Sequence, residues 1–182
     1  MRALLCAVGL LALASQAHAA DSDAMAKTTG GFYAAYSTFH PSDGIPDARG
    51  RAKYAPYVSD RLNGLFVEAK AAEDKFASAN KDTPPLVEGD LFTSNFEGAS
   101  SYKVGACTGD AKTGHCAVQL TYDPGKTGNP KDKPINWTDT AYLVNTPAGW
   151  KVDDIGFGGN WDFGNKGKMS DTLRMVITTA GN

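Results

Sequence analysis

Histidine and cysteine are scarce in this chain, three of each among 182 residues. No His-Glu-x-x-His run, no paired Cys-x-x-Cys and no Gly-x-Ser-x-Gly occurs, which excludes the chemistries of zinc proteases and α/β-hydrolases. His40 precedes a proline in a turn-rich stretch and His115 lies beside a cysteine. Neither has a second ligand at metal spacing, so no metal and no cofactor are expected. There is no polybasic tract either. Eighteen Lys and Arg stand against twenty Asp and Glu, a balance that argues against nucleic acid or an anionic membrane as partner. Gly125-Lys126-Thr127 lacks the upstream glycine of a phosphate loop, because Leu120 stands there.

Long apolar runs are absent apart from one at the start. Arg2 precedes the run Ala3 to Ala14, and Ala17-His18-Ala19 places small residues where a signal peptidase reads them. The run is shorter than the roughly 20 residues a bilayer span needs. Residues 1–19 are therefore expected to be a signal peptide, cleaved after Ala19 or Ala20, and 20–182 an exported single domain, periplasmic or secreted, with no membrane span. Cys6 leaves with the signal. Cys107 and Cys116 remain as an even pair in a compartment where disulfides persist, and the eight residues between them, with two glycines and an aspartate, read as the loop of a stapled hairpin.

What is present divides the chain in two. Met25, Phe32, Tyr33, Tyr36 and Phe39 fall near one helical stripe over Ala24 to Phe39, with Ser22 or Asp23 as N-cap. Gly30-Gly31 in its middle marks a kink or the close approach of a neighbour, since each glycine costs about 1 kcal/mol against alanine in a helix. From Ser59, a second helix is read in Leu62, Leu65, Phe66, Ala69, Ala72 and Phe76, with Glu68, Lys70, Glu73, Asp74 and Lys75 on a solvated face. Leu86 to Ala99 is irregular yet rich in apolar residues, so it is expected to lie over a cavity or the edge of the core.

The second half reads as strands. Tyr102–Cys107 pairs with Cys116–Tyr122, and Trp137–Asn145 with Trp150–Phe157 across Thr146-Pro147-Ala148-Gly149. Asp123 to Pro134 is a polar surface loop. Ser170 to Thr178 reads as a closing helix capped by Ser170. Helices followed by an antiparallel meander give an α+β class, with a curved sheet of about four strands wrapped on the N-terminal helices.

Three stretches carry a resemblance: Tyr57-Val58-Ser59-Asp60-Arg61-Leu62, Pro85-Leu86-Val87-Glu88-Gly89-Asp90 and Gly149-Trp150-Lys151-Val152-Asp153-Asp154-Ile155. In their order they resemble a bacterial exported family of unknown function in the nuclear transport factor 2-like, cystatin-like superfamily. That resemblance implies a cone-shaped fold with a cavity at its open end and no set activity, because the superfamily hosts isomerases, dehydratases and binding modules.

In such a cone, strict alternation along β-structure puts Trp150, Val152 and Asp154 on one face and Lys151, Asp153 and Ile155 on the other. One aspartate is then expected to point inward. Asp154 would act there as a general acid or base, or bond backbone amides in the bend that follows. Asp90 would complete an acid and base pair across the cavity mouth, or form an Asx turn before Leu91. Tyr102 would be the hydrogen-bond donor. Tyr33, Tyr36, Trp137 and Trp150 would line the cavity for an apolar ligand, or simply pack in the core. The expected function is an exported, non-catalytic protein that binds a small ligand or an envelope protein, the latter through the Asp123 to Pro134 loop. The alternative is a cofactor-independent lyase, isomerase or hydrolase using a cavity aspartate.

Overall fold

A computed structural model describes residues 5–38, 44–126 and 132–180, with side chains over 21–38, 44–125 and 132–180. His40 lies outside the described residues, as does the middle of the Asp123 to Pro134 loop. The chain is α+β: helices α1 (Leu5–Thr38), α2 (Ala48–Tyr54) and α3 (Asp60–Ala79) precede strands β1 (Ser101–Gly109), β2 (Thr113–Tyr122), β3 (Ile135–Thr146) and β4 (Gly149–Gly156), and α4 (Met169–Thr179) closes it. The strands form one open antiparallel sheet in the order β1-β2-β3-β4. Among the described residues no helix is long and apolar enough to cross a membrane.

α1 lies against β1, β2 and β4. It begins well before Ala24, so Ser22 caps nothing and instead donates to the Cys107 carbonyl (3.1 Å). Six residues further on, Thr28 Oγ1 donates to the Trp150 carbonyl (3.1 Å). The helix passes through Gly30-Gly31 without a break. A Cβ at Gly31 would sit 2.2 Å from the Tyr57 ring, so the glycine is there for the close approach of the α2–α3 connection. Ser59 caps α3 as expected, accepting from Leu62 N (3.0 Å). α2 has no counterpart in the sequence reading; it starts at Asp47, whose carboxylate accepts from Gly50 N (2.7 Å).

The irregular stretch before β1 supplies the centre of the core. Phe92 stacks on Tyr54 (4.8 Å between centroids) and meets Phe32, Phe66 and Tyr36 at 5.7, 5.8 and 6.2 Å. Glu73, placed by its charge on a solvated face, is in fact buried under this stretch. Burial raises its pKa, with Lys70 and the Val87 amide opposing.

Cys107 and Cys116 face one another across β1 and β2 with Cα atoms 4.1 Å apart, and they are bonded. The loop is shorter than the cysteine spacing implied, because both strands run past the bridge. The turn is Asp110 to Lys112, with the Asp110 carboxylate accepting from Lys112 N and Thr113 N at 2.8 and 2.9 Å. Replacing both cysteines by alanine is expected to cost about 2–3 kcal/mol through the loop entropy returned to the unfolded chain. Urea unfolding of oxidised protein and the double variant checks this; equal midpoints would mean that the hairpin holds its ends without the bond.

The second hairpin turns on Pro147 and Ala148, and Gly149 takes a φ of +90° that few other residues adopt. β4 is then bulged: Tyr142 pairs with Asp154 but Leu143 pairs with Val152, leaving Asp153 unpaired. One extra residue reverses the alternation beyond it. Trp150, Val152 and Ile155 therefore face the core, and Asp154 shares a face with Tyr142 on the opposite side. The expected grouping of Asp154 with Trp150 and Val152 is corrected by this bulge. The free edge of β4 is covered at Val152, whose backbone bonds Ser59 N and the Tyr57 carbonyl at 2.9 and 2.8 Å.

Candidate functional site

The strongest concentration of buried polar chemistry lies between α1, β3 and two irregular segments, 86–99 and 157–167. Its centre is Asp139. Along β3 the residues Trp137, Asp139, Ala141 and Leu143 alternate onto the core face, so strand geometry carries a carboxylate into the apolar interior. Its four acceptor positions are filled. Oδ1 accepts from Ser94 Oγ and from Gly158 N (2.9 Å), and Oδ2 from Ser94 N (2.8 Å) and Trp137 Nε1 (3.0 Å). Ser94 Oγ in turn accepts from Gly159 N (2.9 Å). One aspartate thus joins both irregular segments to the sheet. The sequence reading passed over it, although an aspartate in phase with Trp137 and Leu143 on an alternating strand was the available signal.

Asp90 sits in the same interior. Its carboxylate accepts from Phe92 N (2.7 Å) and Thr93 N (2.8 Å), an Asx turn, and from the hydroxyl of Tyr36. Tyr36 Oη also accepts from Ala99 N (2.7 Å), closing the segment on itself. Asn165 Nδ2 donates to the carbonyls of Asp90 and Thr93, both at 2.7 Å. The groups facing Asp90 are the phenols of Tyr36, Tyr33 and Tyr54. Desolvation therefore dominates and lifts the Asp90 pKa to about 6, against the hydrogen bonds from Tyr36, Phe92 and Thr93 that lower it. Burial, with the charge of Asp90 nearby, also raises Tyr36 and Tyr54. Tyr33 rises by burial and by the charges of Asp139 and Asp90, and its hydroxyl has no partner.

A carboxyl whose folded-state pKa is raised binds more protons folded than unfolded between the two values. Asp90 therefore favours the folded state below about pH 4, and this contribution fades as pH rises toward 6. The interval corresponds to about 3 kcal/mol. Asp90→Asn keeps an acceptor for the two amides and removes the titration. Urea stability measured from pH 4 to 7 is expected to fall by about 3 kcal/mol more in the parent than in D90N. The comparison separates Asp90 from Glu73, also raised, and from exposed Asp110, which Thr113 and Lys112 amides lower. Parallel curves would show that Asp90 is ionised without cost.

Asp154 is elsewhere. Its carboxylate accepts from Ser170 N (3.0 Å), from Ser170 Oγ (2.6 Å) and from Ile155 N (3.0 Å). It thereby does for α4 what Ser170 was expected to do: the cap residue is Lys168, which makes no side-chain cap bond, and Ser170 lies in the first turn. Asp153, the bulged neighbour, takes Ser59 Oγ (2.5 Å) and both oxygens face Arg61 Nε (2.9 and 3.0 Å). Asp90 and Asp154 lie on opposite faces of the sheet and form no acid and base pair.

Of the aromatic residues expected to line a cavity, Tyr33, Tyr36 and Trp150 are packed in the core, and Trp137 is buried yet also borders an outer groove. Tyr33 and Tyr36 meet at 6.0 Å, and Tyr33 meets Tyr102 at 5.5 Å. Tyr102 donates to the Gly30 carbonyl (3.2 Å), Trp137 to Asp139 as above, and Trp150 Nε1 to Asp21 (3.3 Å) at the other end of the sheet. Among the described residues a hollow of about 370 Å³ lies between α1 and the first hairpin at Met25 and Cys107, and two grooves open outward. One groove of about 420 Å³ runs along β3 and β4 beside α4. Its cations are Arg61, Lys168 and Arg174 and its anions Asp153, Asp154 and Asp171, so the charges balance. Lys168 Nζ stands 4.3 Å above the Tyr142 ring. A second groove, about 460 Å³, crosses β1, β2 and β3 and is bordered by Tyr102, Leu120 and Trp137 as well as by Lys103, Gln119 and Thr138. Among the described residues no group of three metal-binding side chains occurs.

No family model, no curated protein and no solved structure matches the chain.

Proposed function

We propose that this chain is an exported, non-catalytic binding domain that engages an envelope protein through its outer surface rather than a small ligand in an internal cavity. One observation carries the reading: two buried aspartates, Asp139 and Asp154, are engaged by donors of their own chain. Asp139 has all four acceptor positions filled, and Asp154, which borders the groove beside α4, has three of its own filled. Export is supported by the Ala3 to Ala14 run ahead of Ala17-His18-Ala19 and by the Cys107–Cys116 bond, a pairing that oxidising compartments preserve. The order of helices before a four-stranded antiparallel sheet accords with the nuclear transport factor 2-like, cystatin-like resemblance.

Native mass spectrometry of the protein purified from an oxidising compartment tests this. A bare mass, two hydrogens light for the disulfide, is expected. A small molecule released on denaturation would replace the surface reading with a cavity binder.

The enzyme alternative has one observation in its favour, a buried Asp90 carboxyl held near pH 6 beside Tyr36. It requires the 86–99 segment to open and admit substrate. Amide exchange at Phe92 and Thr93, whose N–H groups bond Asp90, separates the two. Exchange only through global unfolding would remove the enzyme, whereas exchange through a low-energy local opening would support it.

A further inference from the structure

Two of the three large aromatics of segment 157–167 have opposite fates. Trp161 turns in and meets the Trp137 ring edge-to-face at 5.3 Å. Phe163, two residues later, is 91% exposed. The segment is not loose: Asn165 N donates to the Ser94 carbonyl (2.9 Å), Gly158 N to Asp139 and Gly159 N to Ser94 Oγ. The neighbouring segment, joined to it at Ser94 and Asn165, carries a second phenylalanine, Phe96, 46% exposed. An aromatic ring held out in water on a hydrogen-bonded frame forgoes its burial energy, and on binding it pays little ordering entropy. That combination is the make-up of an interface anchor.

The surrounding charges select the occupant. Asp162 adjoins Phe163 and Glu97 adjoins Phe96 in the chain, and exposed Glu88 precedes Gly89, which lies against the Phe96 ring; Lys166, three residues after Phe163, has its Nζ held by the Gly159 carbonyl (3.2 Å). This acidic rim repels anionic lipid headgroups and attracts a basic protein surface. We infer that Phe163, with Phe96 on the adjoining segment, is the anchor of a docking surface for a protein partner presenting an apolar pocket rimmed by lysine or arginine. The inference rests on the binding-domain reading and names its surface and its partner's chemistry.

The test is selection of peptides from a random display library on the full, oxidised chain, followed by affinity measurement with synthetic copies of the enriched sequences. Enriched peptides are expected to carry apolar residues flanked by two or more basic ones. Their affinity is expected to fall at least about tenfold in Phe163→Ala and to lose much of its salt dependence in Asp162→Lys. Lys75→Ala on the exposed side of α3 serves as control, and the thermal midpoints of all three variants should match the parent. Peptides that bind equally well to Phe163→Ala, or that show an acidic consensus, overturn this surface while leaving the binding-domain reading in place. Flotation of the parent but not Phe163→Ala with vesicles of phosphatidylcholine and phosphatidylglycerol would assign the anchor to a membrane and overturn the inference. A concentration-dependent dimer abolished by Phe163→Ala would assign it to a second copy and do the same. A library yielding no enriched sequence counts against both this surface and the reading beneath it.

Discussion

Asp139→Ala is expected to lower the unfolding free energy by about 3–5 kcal/mol, the cost of leaving several buried donors without an acceptor at about 1–3 kcal/mol each. Four donors lose their acceptor at once: Ser94 N, Ser94 Oγ, Trp137 Nε1 and Gly158 N. The three donors on Ser94 and Trp137 gain no water in exchange, because both residues are buried, whereas Gly158 is exposed. Asparagine does not rescue the site. Whichever way its amide is placed, the NH2 group faces two donors where the carboxylate offered an acceptor, so Asp139→Asn should lie close to alanine. A chain of this size loses a few degrees of thermal midpoint per kcal/mol, so scanning calorimetry should show a fall of about 10 °C for either variant. A loss under about 1 kcal/mol would mean that segments 86–99 and 157–167 hold their places without the carboxylate.

Phe92→Ala is the second large effect, about 3–5 kcal/mol. The ring lies among four others, and its removal leaves a void bounded by Tyr54, Phe32, Phe66 and Tyr36, which come from three different helices. Helices anchored at both ends cannot all move in to fill it. Urea unfolding with an unchanged slope and a shifted midpoint would confirm a loss of packing. A small shift would instead place Phe92 among residues the core can spare.

The two variants act on different links of one construction. Phe92 holds the 86–99 segment to the helices by burial, and Asp139 holds the same segment and its neighbour to the sheet by hydrogen bonds. Phe163 and Phe96 stand at the outer end of that construction. Loss of either inner residue should therefore weaken peptide binding at Phe163 as well as stability, whereas Phe163→Ala should affect binding alone.

Much of the architecture was legible beforehand because it rests on local periodicity. Leu62, Phe66 and Ala69 recur at helical spacing behind a serine cap, and α3 forms there. Alternation from Cys116 to Tyr122 and from Trp137 to Asn145 marks two strands whose turns announce themselves through Asp110, Pro147 and Gly149. The disulfide followed from the even pair left once residues 1–19 were expected to be removed as a signal. Each of these signals spans ten to twenty residues and needs no knowledge of what packs against it.

The site was legible only in pieces. Asp90 was singled out, and the Asx turn weighed for it is present, but its partner Tyr36 lies more than fifty positions earlier. Asp154 was assigned a face by strict alternation, and one bulged residue, Asp153, reversed that assignment; a bulge is set by how β4 meets Tyr57 and Ser59, which no strand pattern encodes. Ser170 looked like a cap because serine usually is one, yet the cap atoms of α4 come from Asp154 on another element. Asp139 went unnoticed because its role consists entirely of contacts with Ser94, Trp137 and Gly158.

By itself, then, the sequence determined the α+β class, the strand pairing order, the cap of α3 and the stapled hairpin, all consequences of short-range periodicity and backbone chemistry. Only the tertiary structure decided which carboxylates are buried, which ends of which elements they hold, and that one phenylalanine faces inward at the centre of the core while another stands in water. Those outcomes depend on long-range contacts, where burial and hydrogen-bond saturation are properties of neighbours rather than of the residue.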